Sequence, residues 1–248
     1  MADKPAKVQL FHTCLINEFY PEVGMSVVNI LERLGIRVEV PLDQTCCGQP
    51  AFNSGFFRDA RKVAAKTLDT LLATEGPIII PSGSCGDMII HQYPVLFSDD
   101  ASMLAKVNSV AERCYEFTQF LVDVLGITNL GSRLKARGAY HPSCHLLRGL
   151  QVKQQPQILL DNVADLDIVE FEDQEECCGF GGVFSVKNPE ISGSMMNNKI
   201  DHLEAAATDM VISCDMGCLM HLEGGLHRRG SRIKACHIAQ VLDGGIEL

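Results

Sequence analysis

Eleven cysteines in a chain of 248 residues pose the first chemical question, because four of them form two adjacent pairs, Cys46–Cys47 and Cys177–Cys178. Neighbours in the chain reach disulfide geometry only with strain, and the total is odd. Reduced thiols at this density point to metal or redox chemistry. A glycine, Gly48 or Gly179, follows each pair. Single cysteines flank them, Cys14 and Cys85 around the first pair, Cys144 and Cys218 around the second. Each set offers four thiolates, which suit either a structural zinc ion or an iron–sulfur cluster. The adjacent pair favours the cluster. Structural zinc sites space their cysteines roughly two to four residues apart so that a loop wraps one ion, whereas a polynuclear cluster presents different metals to neighbouring sulfurs. Gly48 and Gly179 remove a Cβ where the backbone must pass close to the site.

The two sets are copies of one pattern. Matched cysteines are separated by 130, 131, 131 and 133 residues, and a nearly constant offset at four positions marks an internal repeat. The flanks agree: VQLFHTC faces GAYHPSC, IRVEVPLDQTCCG faces LDIVEFEDQEECCG, and PIIIPSGSC faces DMVISCDMGC. Residues 1–130 form the first expected repeat and 131–248 the second. Within the first, KVQLF, RVEV and PIII read as strands. PEVGMSVVNILERLG reads as a helix with Val27, Ile30, Leu31 and Leu34 on one face. FRDARKVAAKTLDTLLATEG reads as a second helix ended by Gly76, and a helical stretch is expected to run on to Gly126. This βαβα order predicts an α/β fold of two repeated lobes with mainly parallel sheets and right-handed crossovers. The lobes are expected to be related by a pseudo-two-fold, with the cysteine loops turned towards a shared interface. Each cysteine loop lies just past a strand, at the carboxyl edge where open α/β sheets place ligands.

Other residues invite weaker readings. Cys114 and Cys236 precede comparable segments and read as buried apolar residues. Cys214 lies four residues before Cys218 and is a candidate fifth ligand, although its counterpart in the first repeat is Pro81. His12, His141 and His145 lie near the first cysteine of each repeat. They are candidates for hydrogen bonds to cluster sulfur or for proton movement, and equally for ordinary loop histidines. Gly179-Phe180-Gly181-Gly182 lacks the lysine of a phosphate loop and reads as a tight turn beside the site.

Composition narrows the partners. The formal net charge of -10 and pI of about 5.2 argue against nucleic acid. No apolar run approaches the roughly 18 residues of a membrane span, and the N-terminal stretch has no uninterrupted apolar core of a secretory signal. A cytoplasmic location is expected.

The stretches CCGQPAFNSG, YHPSCHLL, CCGFGGVFSVKNPEISG and MGCLMH resemble the cysteine-rich CCG-domain family. That family includes the B subunit of heterodisulfide reductase and the iron–sulfur subunit of glycolate oxidase, and the match is nearest to its lactate-utilization branch. The resemblance implies an iron–sulfur subunit, with one or two clusters of the [4Fe–4S] type per chain, in a three-protein system that oxidises L-lactate to pyruvate. It also implies two partners, a ferredoxin-like iron–sulfur subunit and a third lactate-utilization subunit. In heterodisulfide reductase the pattern ends in CxxC, and five cysteines hold a non-cubane cluster. Here Ser82 and Asp215 stand at the first cysteine of that CxxC, so a four-thiolate cluster is the expectation. Two other readings stand beside it: a thiol–disulfide reductase subunit of the heterodisulfide type, and a non-catalytic zinc scaffold. No flavin or nicotinamide fingerprint is present, so hydride removal from lactate needs a cofactor or partner outside the motifs found.

Overall fold

The computed structural model describes residues 4–244. The chain separates into two compact units, Met1–Gly126 and Ile127–Leu248. The first contains β1 (Lys7–Leu10), α1 (Cys14–Phe19), α2 (Pro21–Arg33), β2 (Arg37–Glu39), α3 (Gln49–Asn53) and α4 (Phe57–Leu72). It continues through β3 (Ile78–Ile80), α5 (Gly83–Asp87), α6 (Tyr93–Leu96), α7 (Ala101–Ala111), β4 (Cys114–Glu116) and α8 (Phe117–Gln119). The second contains β5 (Arg133–Tyr140), α9 (Gln154–Asp161), β6 (Ala164–Ile168), α10 (Val183–Lys187) and α11 (Pro189–Ala205). It closes with β7 (Met210–Ser213), α12 (Met216–Arg229), β8 (Lys234–His237) and α13 (Ile238–Asp243). Wider π-type turns occupy Met88–Gln92, Phe120–Val124 and His145–Gly149.

Each unit is an α/β lobe around one four-stranded, wholly parallel sheet, and the two sheets share a strand order: β2-β1-β3-β4 and β6-β5-β7-β8. Registers match as well, Leu10 facing Ile79 in one lobe and Tyr140 facing Ile212 in the other. The inner strand β3 is the apolar run Ile78–Ile80, buried throughout, as a strand covered on both faces requires. Helix α2 buries Val23, Val27, Ile30 and Leu31 at helical spacing, and α4 buries Ala60, Ala64, Leu68 and Leu71. Full burial of each large aliphatic side chain contributes roughly 1.5–3 kcal/mol. Among the described residues, no helix is long and apolar enough to cross a membrane.

The strand order determines where each lobe opens a crevice. From β1 the chain steps to β2 on one side, then crosses to β3 on the other, so the direction of winding reverses between β1 and β3. The crevice at the carboxyl ends of those strands is where such sheets bind ligands.

Two details differ from the sequence reading. Helix α4 ends at Leu72, four residues before Gly76, which sits instead in a turn at φ +82°. The stretch expected to be helical up to Gly126 is interrupted by a fourth strand, β4, and β8 is its counterpart in the second lobe. Both are short, and both end in a buried polar residue that caps the next helix. Glu116 Oε2 accepts the backbone N–H groups of Thr118 (2.7 Å) and Gln119 (3.2 Å), and His237 Nδ1 accepts that of Ala239 (3.2 Å). Cys114 and Cys236 lie on these strands and are buried, as expected of apolar cysteines.

Burial raises the Glu116 carboxyl from its ordinary 4.5 to about 7, outweighing its hydrogen bonds from Thr118 and Gln119. The folded chain therefore keeps this proton while the unfolded chain releases it. The group's stabilising contribution is complete below pH 4.5 and lost as pH rises to about 7, on the order of 3 kcal/mol in all. Glu116→Gln removes the titrating group, and urea unfolding of this variant is expected to show a flatter fall in stability across that window than the parent.

Candidate metal centre

Cys14 opens α1 just beyond β1, and Cys46–Cys47 sit in the loop after β2. Cys85 is the third residue of α5, just beyond β3. The strand ends thus bring the four thiols of the first lobe together in a chain of contacts. The Cys14 thiol meets Cys46, Cys46 meets Cys47, and Cys47 Sγ lies 3.4 Å from Cys85 Sγ. The second lobe repeats it: Cys144 meets Cys177, Cys177 meets Cys178, and Cys178 meets Cys218. In both quartets the first two sulfur-bearing residues are half-buried and the last two buried. The adjacent pair therefore differs in burial, its first residue half-buried and its second buried. All eleven cysteines are free thiols.

The turn after each pair is built alike. Gly48 and Gly179 have φ of +85° and +90°, a region costly for any residue with a Cβ. That conformation aims the glycine N–H back at the first sulfur of the pair, giving N–H···S contacts of 3.4 Å to Cys46 and to Cys177. Gly179 is the tighter, since a Cβ there would lie 2.6 Å from the Ser192 carbonyl oxygen and 2.9 Å from Met195 Cβ.

Two positions where the sequence departs from CxxC turn out to be helix caps. Ser82 Oγ accepts the Cys85 N–H (3.3 Å), and Asp215 Oδ1 accepts the Gly217 N–H (3.0 Å). Cys85 and Cys218 are the third residues of the helices so capped.

The electrostatics of each quartet are those of a few thiols sharing too few protons. Cys46 is held down at about 3 because the thiols of Cys14 and Cys47 donate to its sulfur, with the Gly48 N–H adding to this. Cys177 is held at about 2 by Cys144 and Cys178 in the same way. The donors move oppositely: contact with the first sulfur of the pair, with burial, pushes Cys14, Cys47, Cys144 and Cys178 well up. The first sulfur of each pair is thus the favoured thiolate. Further ionisation calls for a cation among the sulfurs, and this donor set fits zinc or an iron–sulfur cluster.

Several supporting residues carry no motif. Gln44 ties the pair's loop to β1, accepting the His12 N–H (3.1 Å) and donating to the Leu10 carbonyl (2.7 Å). Tyr93, buried, donates to the Cys47 carbonyl (2.8 Å). Thr67 and Lys199 are each the eleventh residue of their helices, α4 and α11, and both are buried. Thr67 Oγ1 donates to the Cys46 carbonyl (3.4 Å), whereas Lys199 Nζ donates to the carbonyls of Asp173 and Gln174 (3.2 Å to the latter). The second quartet thus has a buried ammonium group nearby. A polar residue on the inward face of an otherwise apolar helix stripe was the available signal for both.

The histidines separate. His12 contacts the Thr13 carbonyl (3.4 Å), and His145 Nδ1 lies 3.5 Å from Cys144 Sγ. His141 is wholly buried, and a ring nitrogen of it lies within 4.8 Å of the sulfurs of Cys178 and Cys218. Cys214 is buried with its Sγ 3.6 Å from the Tyr140 hydroxyl.

The sequence model of the CCG cysteine-rich domain matches this chain twice, over residues 8–90 and 138–223. Those two segments contain both quartets. Lactate utilization protein A 2 of Bacillus cereus (strain Q1) is 45% identical over 240 residues, covering 97% of this chain and 99% of that protein. The chain belongs to the lactate utilization protein A family of CCG-domain proteins. Lactate utilization protein A of Oceanobacillus iheyensis is likewise 45% identical, over 244 residues. The fold is also found in a crystal structure of a hypothetical protein from Helicobacter pylori, with a TM-score of 0.69 at 14% identity. That likeness covers 99% of this chain, which spans 50% of the other.

Alanine at the two turn glycines separates backbone conformation from crowding. Gly48→Ala is expected to cost about 1–2 kcal/mol, the penalty of a Cβ at left-handed φ. Gly179→Ala is expected to cost more, because the added Cβ also meets Ser192 and Met195. Denaturant unfolding of the two variants checks the order.

Proposed function

We propose that each lobe holds an iron–sulfur cluster of the [4Fe–4S] type, on Cys14, Cys46, Cys47 and Cys85 in the first and on Cys144, Cys177, Cys178 and Cys218 in the second. On this reading the chain is an electron-transfer subunit of a system that oxidises lactate to pyruvate. The observation that carries the cluster is the unbroken chain of contacts among four thiols in each lobe, with an adjacent pair at its middle. Two sulfurs on adjacent residues suit a group with more than one metal better than a single zinc ion, whose structural cysteines are spaced roughly two to four apart. The substrate rests on kinship with proteins named for lactate utilization.

Such clusters pass electrons one at a time. The residues of the chain supply the thiolates, the N–H groups of Gly48 and Gly179 at the sulfurs, and a largely buried setting. Cys14, Cys46, Cys144 and Cys177 are the half-exposed members, and their side of each lobe is where a ferredoxin-like partner docks in this proposal. A third subunit completes the system.

Cys178→Ala is expected to lower iron content by about half relative to a fully loaded parent, as loss of one cluster of two requires. Iron and acid-labile sulfide are assayed on anaerobically purified protein. Undiminished iron in the variant would count against the ligand set, and zinc in place of iron would favour the scaffold reading.

Lactate oxidation removes two electrons with protons, and the chain carries no organic-cofactor motif to accept them together. Dye-linked lactate oxidation is therefore expected only with the partner subunits present. Full turnover by the isolated chain would overturn the assignment as an electron-transfer subunit. Turnover of disulfides in place of lactate would favour the reductase reading.

A further inference from the structure

A further difference between the lobes lies just past the first strand of each sheet. Phe11 and His141 each come directly after the first strand of their sheet. Their backbone N–H groups make the same bond, to the Ile79 carbonyl (2.9 Å) and the Ile212 carbonyl (2.8 Å). They are structurally equivalent, and both are wholly buried. Where the first lobe has an inert phenyl ring, the second has an imidazole.

The hydrogen bonds of that imidazole define its tautomer. Nδ1 lies 3.3 Å from the Gln174 carbonyl oxygen, which can only accept, so the ring proton is on Nδ1. Nε2 is left with an in-plane lone pair. It is buried and has no hydrogen-bond partner among the described residues. A buried acceptor without a partner is unfavourable unless something else occupies its lone pair. A histidine that ligates a metal through one nitrogen commonly donates its other N–H to a backbone carbonyl, which orients the ring. His141 has that arrangement before any metal is considered.

The ring also lies beside two of the thiols. A ring nitrogen of His141 and the sulfurs of Cys178 and Cys218 all fall within 4.8 Å of one another. A metal centre placed among these sulfurs therefore lies within reach of a ring nitrogen of His141. Because Nδ1 is engaged with Gln174, Nε2 is the nitrogen available to give.

We infer that His141 is a fifth ligand, a nitrogen donor, to the metal centre of the second lobe, held with Cys178 and Cys218. The inference rests on the cluster reading above and goes beyond it. The centre of the second lobe has mixed nitrogen and sulfur ligation, and that of the first is all-sulfur. The chain thereby carries two centres that are distinct in kind.

The test uses the full-length chain with Cys46 and Cys47 replaced by serine, so that iron is confined to the second lobe. The protein is loaded anaerobically and cryoreduced, which gives an unpaired spin from any diamagnetic resting state. Electron spin-echo modulation is then compared for ¹⁴N- and ¹⁵N-histidine-labelled samples. The expected result is a histidine nitrogen coupling that shifts with the label and is lost in His141→Phe, the residue type of the first lobe, while iron is retained. Should His141→Phe not fold, His141→Gln serves the same purpose. Retained iron with modulation indifferent to the label overturns the inference alone, as does a labelled coupling that survives replacement of His141. A chain that takes up no iron in the second lobe overturns the cluster reading and this inference with it.

Discussion

Four thiols held in mutual contact cannot all be thiolates in the absence of a cation, and the rest of each lobe is arranged around that constraint. At the 3.4 Å separation of Cys47 and Cys85, two full negative charges in a medium of effective dielectric about 20 would repel by roughly 5 kcal/mol. That is comparable with the whole net stability of many domains, about 5–15 kcal/mol. The lobe answers by keeping one sulfur ionised and its neighbours protonated, Cys46 low with Cys14 and Cys47 high. Such a quartet is suited to take up a cation in exchange for protons. The quartet sits where the sheet reverses its winding, at the carboxyl ends of the strands.

Holding the sulfurs together against this tendency falls to neutral or positive groups bonded to the backbone of the loops. Gln44 sutures the first loop to the end of β1 and to His12 just past it through two hydrogen bonds of its side-chain amide, and Thr67 and Tyr93 hold the carbonyls of Cys46 and Cys47. In the second lobe Lys199 takes the place of Thr67, contacts the carbonyls of Asp173 and Gln174, and rests over the Phe171 ring at 5.2 Å. A buried ammonium group favours negative charge nearby, and thiolates, not thiols, ligate metal. With His141 set against Phe11, the two lobes share a framework and differ in the charge and donor character of the residues packed around the sulfurs.

The framework was legible in the sequence because it is repeated. The offset of matched cysteines identified both quartets, and alternating strand and helix signals implied a parallel sheet with the cysteine loops at its carboxyl edge. What escaped was short or depended on contacts distant in sequence. Strands β4 and β8 have three and four residues. Each runs directly into a helix, and each ends in a polar residue, Glu116 or His237, buried because it caps that helix. Local periodicity cannot distinguish such a strand from the first turn of the helix it feeds. Likewise, the pairing of Gln44 with Leu10 and of His141 with Gln174 spans more than thirty residues of chain, and nothing local marks it.

The departure from CxxC illustrates how a missing ligand can be a structural requirement of another kind. Ser82 and Asp215 stand where a cysteine stands in the heterodisulfide reductase pattern, and each caps a helix through a backbone N–H of its first turn. Oxygen is the better cap, because serine and aspartate accept strongly from amide N–H groups whereas a thiol sulfur accepts only weakly. The same helix carries Cys85 or Cys218 at its third position, so the cap acts on the turn of backbone that bears the remaining sulfur. Exchanging a sulfur donor for a helix cap gives up one potential ligand and secures the placement of another. In the second lobe a ring nitrogen of His141, whose Nδ1 is held by the Gln174 carbonyl, lies within 4.8 Å of the Cys178 and Cys218 sulfurs. In the first lobe the equivalent residue is Phe11, whose phenyl ring offers no donor atom beside the four thiols.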